Sequence, residues 1–519
     1  MNPAVLLALL MLEPQAATYT ISGTVVDSVS GDPLRGVRVS VLEARSFRPA
    51  GEWTTDGSGD FRFERLAAGK YVLMAEKPGY VVQRFGQKAL YSAFSSAVVA
   101  GEGNVTEGLR FALIPSAAIT GTVTDENGEP ATGVLVSAFR QVGNPRNPRW
   151  IRSGFDSTND LGQYRIHSLR RGSFIVLAQG ADHELQGRYG DHLRRWGFPP
   201  TFAPGVPDVS RAALIRLEPG VEHRADISVR GTRLVAVVGG YSSGTWPVSG
   251  RAFLLASLAG FGFFQVGMTS VVSRQGFMIR DVPRGSYTLL VASPTQPRLI
   301  AMKQVHVEDD PVTVDMGAGV PVGAKITVEW ADARPPRPVD VVLDSDGDIG
   351  TQIARLGPDA SAELAVLPPG HYVPKLLSGN QVFAVTGIRV EPGRVVSGAI
   401  EIPGTSRAEI RLTAVSRVQE VTGRVFKGGS PQMGVTVILL PRDQPVRAAS
   451  FAVDQTDSDG SFTLRSVAPG EYLAFAFEQG EVFDYADPEV MQPLLRLGQP
   501  VTVKAGKNPE VRLEVTRLE

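Results

Sequence analysis

The residues of this chain that chemistry could use fall into a few small groups, and most of them read as structure. The pentapeptide GYSSG at 240–244 fits the G-x-S-x-G pattern, with Ser242 in the place of a nucleophile. That pattern works only at a strand-to-helix elbow with an acid and a histidine alongside. Here TRLVAVVG leads in and TWPVSGRAFLLA leads out, with proline, glycine and no helical continuation, so a turn between two strands is expected. A catalytic zinc would need two histidines and a carboxylate at fixed spacing. His167, His183, His192, His223, His306 and His371 are instead scattered, and none opens a His-x-x-Glu or His-Glu-x-x-His motif. DSDGDIG sets Asp344, Asp346 and Asp348 at alternate positions like a calcium loop. Ile349 stands where the sharp-turn glycine belongs, however, and Arg355 where the bidentate glutamate belongs. A similar cluster, Asp454, Asp457 and Asp459, reads as solvated turn carboxylates. Cysteine is absent, which excludes disulfides, thiolate metal sites and a cysteine nucleophile. No catalytic residue, metal or cofactor is assigned.

One segment points to recognition instead. Residues 181–206, ADHELQGRYGDHLRRWGFPPTFAPGV, gather Tyr189, His192, Trp196, Phe198 and Phe202 with Arg188, Arg194 and Arg195. Aromatic faces beside hydrogen-bonding groups suit sugar rings, and long insertions on sandwich loops often carry function. The five aromatic residues, counting the histidine, are therefore the candidate ligand-binding set. The competing reading is that they pack the insertion onto its own domain. YVVQRFGQKALYSAF, with Tyr80, Phe85, Tyr91 and Phe94, has the same character in the first repeat, and Trp150 is a further exposed candidate.

The elements that position these groups come from a repeated block: an apolar residue, glycine three later, an aromatic two beyond. It occurs as Leu66, Gly69, Tyr71; Leu169, Gly172, Phe174; Val282, Gly285, Tyr287; Leu367, Gly370, Tyr372; and Val467, Gly470, Tyr472. Successive blocks lie roughly a hundred residues apart, the usual size of a domain. The chain is expected to comprise a signal peptide over 1–17 and five domains, at 18–116, 117–231 (with the insertion 181–206), 232–316, 317–413 and 414–519. Alternation in Val37, Val39, Val41, in Phe61, Phe63 and in Phe462, Leu464 predicts strands with one buried face. Pro33 and Gly36, Pro130 and Gly133, and Pro431 and Gly434 mark turns, because proline fixes φ on entry and glycine takes φ > 0 on exit. The aromatic after glycine should point inward, contributing roughly 2–3 kcal/mol per domain. Closing strands are expected at 109–113, 227–229, 400–402 and 511–515. Seven or so short strands per unit, with no helical periodicity, give an all-β chain of tandem antiparallel sandwiches of the transthyretin-like or immunoglobulin-like kind.

ISGTVVDSVSGDPLRGVRVSV, DGSGDFRF and LAAGKYVLMAEKPGY resemble the carboxypeptidase regulatory-like domain, a small transthyretin-like sandwich. The second repeat (ITGTVTDENGEPATGVLV) and the fifth (VTGRVFKGGSPQMGVTV) share the likeness, whereas the third and fourth keep only the G-x-Y block and the closing hairpin. The family implies a domain that accompanies zinc peptidases or occurs alone in exported bacterial proteins, within a broader class that includes starch-binding modules.

Composition fits a soluble, turn-rich, ordered protein: 519 residues, 56 Gly, 37 Pro, 43% apolar, net charge −1. Near neutrality offers no footprint for nucleic acid or anionic membrane. The apolar run AVLLALLML followed by PQAAT predicts export, with cleavage after Ala16 or Ala17, and no later stretch is long enough for a membrane helix. The expectation is a non-enzymatic, secreted, periplasmic or outer-envelope binding, adhesion or scaffold protein, with a polysaccharide or cell-surface protein as partner and carbohydrate as the leading ligand. The alternative is an accessory part of a peptidase system. The short linkers at 114–118 and 404–408 predict neighbours that touch in a semi-rigid row.

Overall fold

The computed structural model of the chain describes residues 17–516 apart from 88–94, 143–148, 182–194, 241–248, 259–261, 273–275, 293–298, 317–322, 336, 346–349, 397, 404–405, 443–450 and 479–490. Two compact units emerge. One holds the chain up to Pro115 together with 424–435 and 455–462, and the other holds the remainder.

In the first unit, Asp60–Ala67, Thr18–Asp27 and Leu109–Leu113 form one sheet. Pro49–Thr54, Arg38–Glu43, Gly69–Glu76, Gln83–Arg84 and Val98–Ala100 form a second. Ile21, Val25, Val37, Val39, Val41, Phe61, Phe63, Tyr71 and Phe111 fill the space between them, as the alternation requires. Leu109–Leu113 runs parallel to Thr18–Asp27, a seam that alternation alone does not distinguish from an antiparallel one. The same parallel seam joins Ile227–Ser228 to Ala117–Thr124, Val312–Asp315 to Thr232–Gly240, and Ala408–Val415 to Ala324–Trp330. In the fourth repeat the strand beside the opening one is therefore Ala408–Val415. The expected closing strand, around Ile400 and Ile402, pairs instead with the strand that carries Tyr372.

The turn and block readings hold. Gly36, Gly133 and Gly434 have φ of 71°, 73° and 75°, where an L side chain is strained. Tyr71, Phe174, Tyr287, Tyr372 and Tyr472 are all buried. Each tyrosine hydroxyl donates to the carbonyl four residues earlier: Tyr71 to Ala67 at 3.0 Å, Tyr287 to Pro283 at 2.7 Å, Tyr372 to Pro368 at 2.9 Å and Tyr472 to Ala468 at 2.6 Å. The second repeat uses Phe174 and needs no acceptor.

A feature absent from the sequence reading precedes the block. Arg65, Ser168, Asp281 and Ser466 all adopt φ near 60°, and in the first three repeats the strand register slips at that point. In those three repeats the left-handed, non-glycine residue sits in a β-bulge.

In the second unit, Arg149–Ser157, Leu135–Val142, Gly172–Ala181, Arg195–Phe202, Thr232–Gly240 and Phe277–Pro283 are neighbours in one continuous sheet. Its strands come from both the second and the third repeats. Phe139, Ile175, Leu177 and Phe202 share a core with Val235, Val237, Leu254, Ile279, Tyr287 and Leu289. The fourth repeat closes around Ile326, Val341, Tyr372, Ile400 and Ile410. Its long strand Gln381–Glu391 pairs with Gly370–Ser378 at one end and with Ala408–Val415 at the other.

Candidate recognition site

The insertion that carries the candidate aromatics ends in a strand, Arg195–Phe202. On one side it pairs with Gly172–Ala181, through Gly180 opposite Phe198 and Leu177 opposite Phe202. On the other it pairs with Thr232–Gly240, through Trp196 opposite Arg233 and Gly197 opposite Thr232. Phe198 lies in the core of the second repeat and Phe202 in the core shared with the third, both at 0% exposure. Neither ring offers a face to a ligand in this arrangement. Trp196 packs against the second-repeat core yet remains partly exposed, with the Gly231 backbone alongside. Tyr189 and His192 lie outside the described residues. Within the described part of the set, Trp196 alone retains accessible surface.

The other aromatics singled out by sequence are also drawn inward. Trp150 sits opposite Gln141 and packs on the shared core while remaining partly exposed. Phe85 meets Phe111 edge to face at 5.4 Å. The Tyr80 hydroxyl donates to Asp27 at 2.8 Å, and burial together with that carboxylate pushes its pKa up to about 12. Tyr91 and Phe94 lie outside the described residues.

Among the described residues the nominal catalytic groups stay apart. His167, His223, His306 and His371 stand on four different strands, while His183 and His192 are outside the described residues. Ser242 also falls outside, but the flanking elements Thr232–Gly240 and Ser249–Leu258 are both strands, so no strand-to-helix elbow is formed by them. Among the described residues no group of three or more His, Asp or Glu side chains could hold a metal ion. Asp344 accepts from Thr351 at 3.0 Å and from the Lys375 ammonium; Asp346 and Asp348 lie outside the described residues. No helix among the described residues is long and apolar enough to cross a membrane.

A second site emerges from the turns that precede the Phe-x-Phe type strands. Thr55, Thr158 and Thr456 each bridge a proline-glycine turn. In the first repeat Val37 N–H donates to the hydroxyl, which donates to the Leu34 carbonyl. Val134 and Ala131 serve Thr158, and Val435 and Gln432 serve Thr456, all within 2.6–2.9 Å. The next residue is Asp56, Asn159 or Asp457. Asp56 accepts from the backbone of Ser58 and Asp60, and Asn159 from that of Leu161 and Gln163, so both side chains are used inside their own turns. In the last repeat Asp459 accepts the Ser461 N–H at 3.0 Å, and Asp457 turns outward.

Asp457 meets the first repeat. Its carboxylate accepts from Ala97 N–H at 2.8 Å and from Lys70 Nζ at 2.6 Å, and Lys70 also donates to Ser461 at 3.0 Å. Ser458 N–H donates to the Ala97 carbonyl, and Val99 N–H to the Ser458 hydroxyl, both at 2.9 Å. Ser96 donates to the Thr456 carbonyl at 2.7 Å, while Gln455 Nε2 donates to Ser96 at 2.8 Å and to the Gly86 carbonyl at 2.5 Å. Ser96, Gln455 and Thr456 are all buried. Burial raises the Asp457 pKa, against the opposing pull of Lys70 and the Ala97 N–H. Residues 97 and 457 lie in one unit. The Thr-Asp-Ser signal was visible in the sequence only as a turn; nothing local shows which turn faces outward.

Among curated proteins none matches the chain in sequence. Solved structures with detectable likeness include the minor pilin GBS52 of Streptococcus agalactiae, at 10% identity and TM-score 0.23, covering 44% of this chain and 99% of that one. The shaft pilin SpaA of Lactobacillus rhamnosus GG gives 10% identity and TM-score 0.20, with 44% and 100% covered. Two B repeat units of the collagen binding protein of Staphylococcus aureus give 12% identity and TM-score 0.13, with 77% and 100% covered. The turns, strands and buried tyrosine of the first repeat agree with its family match: residues 20–113 match the carboxypeptidase regulatory-like domain.

Proposed function

We infer that the chain is an exported, non-enzymatic adhesion or scaffold protein built from five sandwich repeats, with boundaries at 18–116, 117–231, 232–316, 317–413 and 414–519. The observation that supports this reading most is the continuous sheet through Arg195–Phe202, which joins two repeats by backbone hydrogen bonds and one apolar core. Such a junction transmits load and fixes orientation, which suits a scaffold. The repeated motifs support it too, since their glycines, tyrosines and threonines serve turns and cores. The second and fifth repeats belong, on this reading, to the same family as the first, because they repeat its bridging threonine. Localisation is the cell surface or the secreted, periplasmic or outer-envelope space.

The finer reading is carbohydrate binding at the surface around Trp196, the member of the candidate set that keeps accessible surface among the described residues. A polysaccharide pull-down and glycan array with wild type and Trp196→Ala test it. Binding that is lost in a folded variant supports a sugar site, and binding to no glycan removes it in favour of a protein partner. Peptidase activity that copurifies with the chain and disappears with chelator would overturn the non-enzymatic reading itself.

A further inference from the structure

The contact between the first repeat and the turn at 455–461 has the chemistry of a recognition site with its ligand in place. The receptor edge presents Gly86 C=O, Ser96 Oγ, both backbone groups of Ala97, Val99 N–H and the Lys70 ammonium. The turn answers with an amide, a carbonyl, a carboxylate and a hydroxyl in matching order. Strand Val98–Ala100 pairs with Gly69–Glu76, and the turn addresses the backbone of Ala97 and Val99 at that strand, a partial form of strand-edge recognition. Specificity comes from Asp457, which the equivalent Asp56 and Asn159 turns cannot imitate while their side chains cap their own backbones.

Receptor and turn are separated by about 360 residues of sequence, and no bond in the contact depends on that connection. Every copy of the chain carries both halves, so the same contact made between copies is heterologous and can link or exchange them. We propose that the Lys70–Ser96–Val99 edge of the first repeat is a docking site for the Gln455–Ser458 turn that a second copy of the chain fills in trans. Within one chain the turn competes at high effective concentration, so exchange requires the internal contact to open.

Charge reversal separates the two situations. Full-length Lys70→Glu sets a carboxylate against Asp457, and full-length Asp457→Lys sets an ammonium against Lys70, so neither variant can satisfy the contact within itself. Mixed in equal amounts, each supplies what the other lacks. The native Lys70 of one variant faces the native Asp457 of the other, and the two introduced side chains, opposite in charge, face each other at the second contact. Sedimentation equilibrium is expected to show twice the mass in the mixture that either variant shows alone. The double variant, with both reversals in one chain, should return to the mass of wild type. Circular dichroism and thermal unfolding of each single variant confirm that the repeats remain folded. A mixture with the mass of its separate components overturns the proposal, as do single variants that associate as readily as the mixture.

Discussion

Two long-range junctions in this chain are built in opposite ways. Between the second and third repeats, Arg195–Phe202 is hydrogen-bonded to strands on both sides, and Phe202 is buried in a core drawn from both repeats. At the first repeat, the 455–461 turn is held by side chains and a few backbone groups, with Lys70 still 41% exposed. The first junction is made of the same ladder and apolar burial that stabilise a domain, so it should open only when both repeats unfold. The second is made of polar groups that water can also satisfy, so its net stabilisation is modest and its opening local. A strand therefore welds, and a turn clasps.

The strongest way to break that contrast is Phe202→Ala. Loss of a fully buried ring from the shared core should cost about 3–5 kcal/mol, and denaturant unfolding should show the second and third repeats weakened together. If only one of them is destabilised, the core is not shared in the sense described. Gly86→Ala tests the clasp. Gly86 has φ of 65°, and a Cβ there would lie 2.7 Å from Ser96 Cβ and Oγ. The strain of about 1–2 kcal/mol should displace Ser96 from Thr456. Hydrogen exchange at Ala97 and Val99 should then accelerate while amides of Arg195–Phe202 keep their protection.

Tyr372→Phe sharpens the comparison from the core side. It gives the fourth repeat the solution the second already uses at Phe174, and the orphaned Pro368 carbonyl should lower stability by about 1 kcal/mol in thermal unfolding. The smallest effect is expected at Asp332, which ties the end of the fourth repeat by accepting from Ser416 N–H at 2.9 Å and Arg417 N–H at 2.8 Å. Partial burial raises its pKa, but these bonds outweigh burial and leave it below the ordinary 3.8. A lowered folded pKa contributes stability that is present above the unfolded value and is lost as pH falls through the folded one. Asp332→Asn should therefore cost under about 1 kcal/mol near neutrality, and its melting temperature should converge on that of wild type in acid. A gap that persists unchanged at low pH would remove the carboxylate from this role.

Much of the fold was legible because it is local. Alternation named Val37, Val39, Val41, Phe61, Phe63, Phe462 and Leu464 as core, proline-glycine spacing located the turns, and the glycine-aromatic block found the buried ring of every repeat. What stayed hidden depends on distant partners. Nothing near Phe198 or Phe202 shows that their strand has neighbours on both sides, so aromatics suited to a sugar face were read where two of them fill cores. Likewise, Asp457 and Asp56 sit in nearly identical turns, and only Asp459 at the place of Ser58 frees the former to face outward.

The left-handed residues Arg65, Ser168, Asp281 and Ser466 bear on how these repeats tolerate change in length. Side chains two apart share a face of a strand, yet Phe63 and Leu66, Ile166 and Leu169, Ile279 and Val282, and Leu464 and Val467 are three apart and all buried. The extra residue resets the phase between inside and outside. Deleting it would leave two regular stretches out of step, turning either the paired aromatics or the glycine-aromatic block toward water. Gly, Asn or Asp should be tolerated at these four positions and β-branched residues should not, while single-residue deletions there should be among the most damaging in the chain.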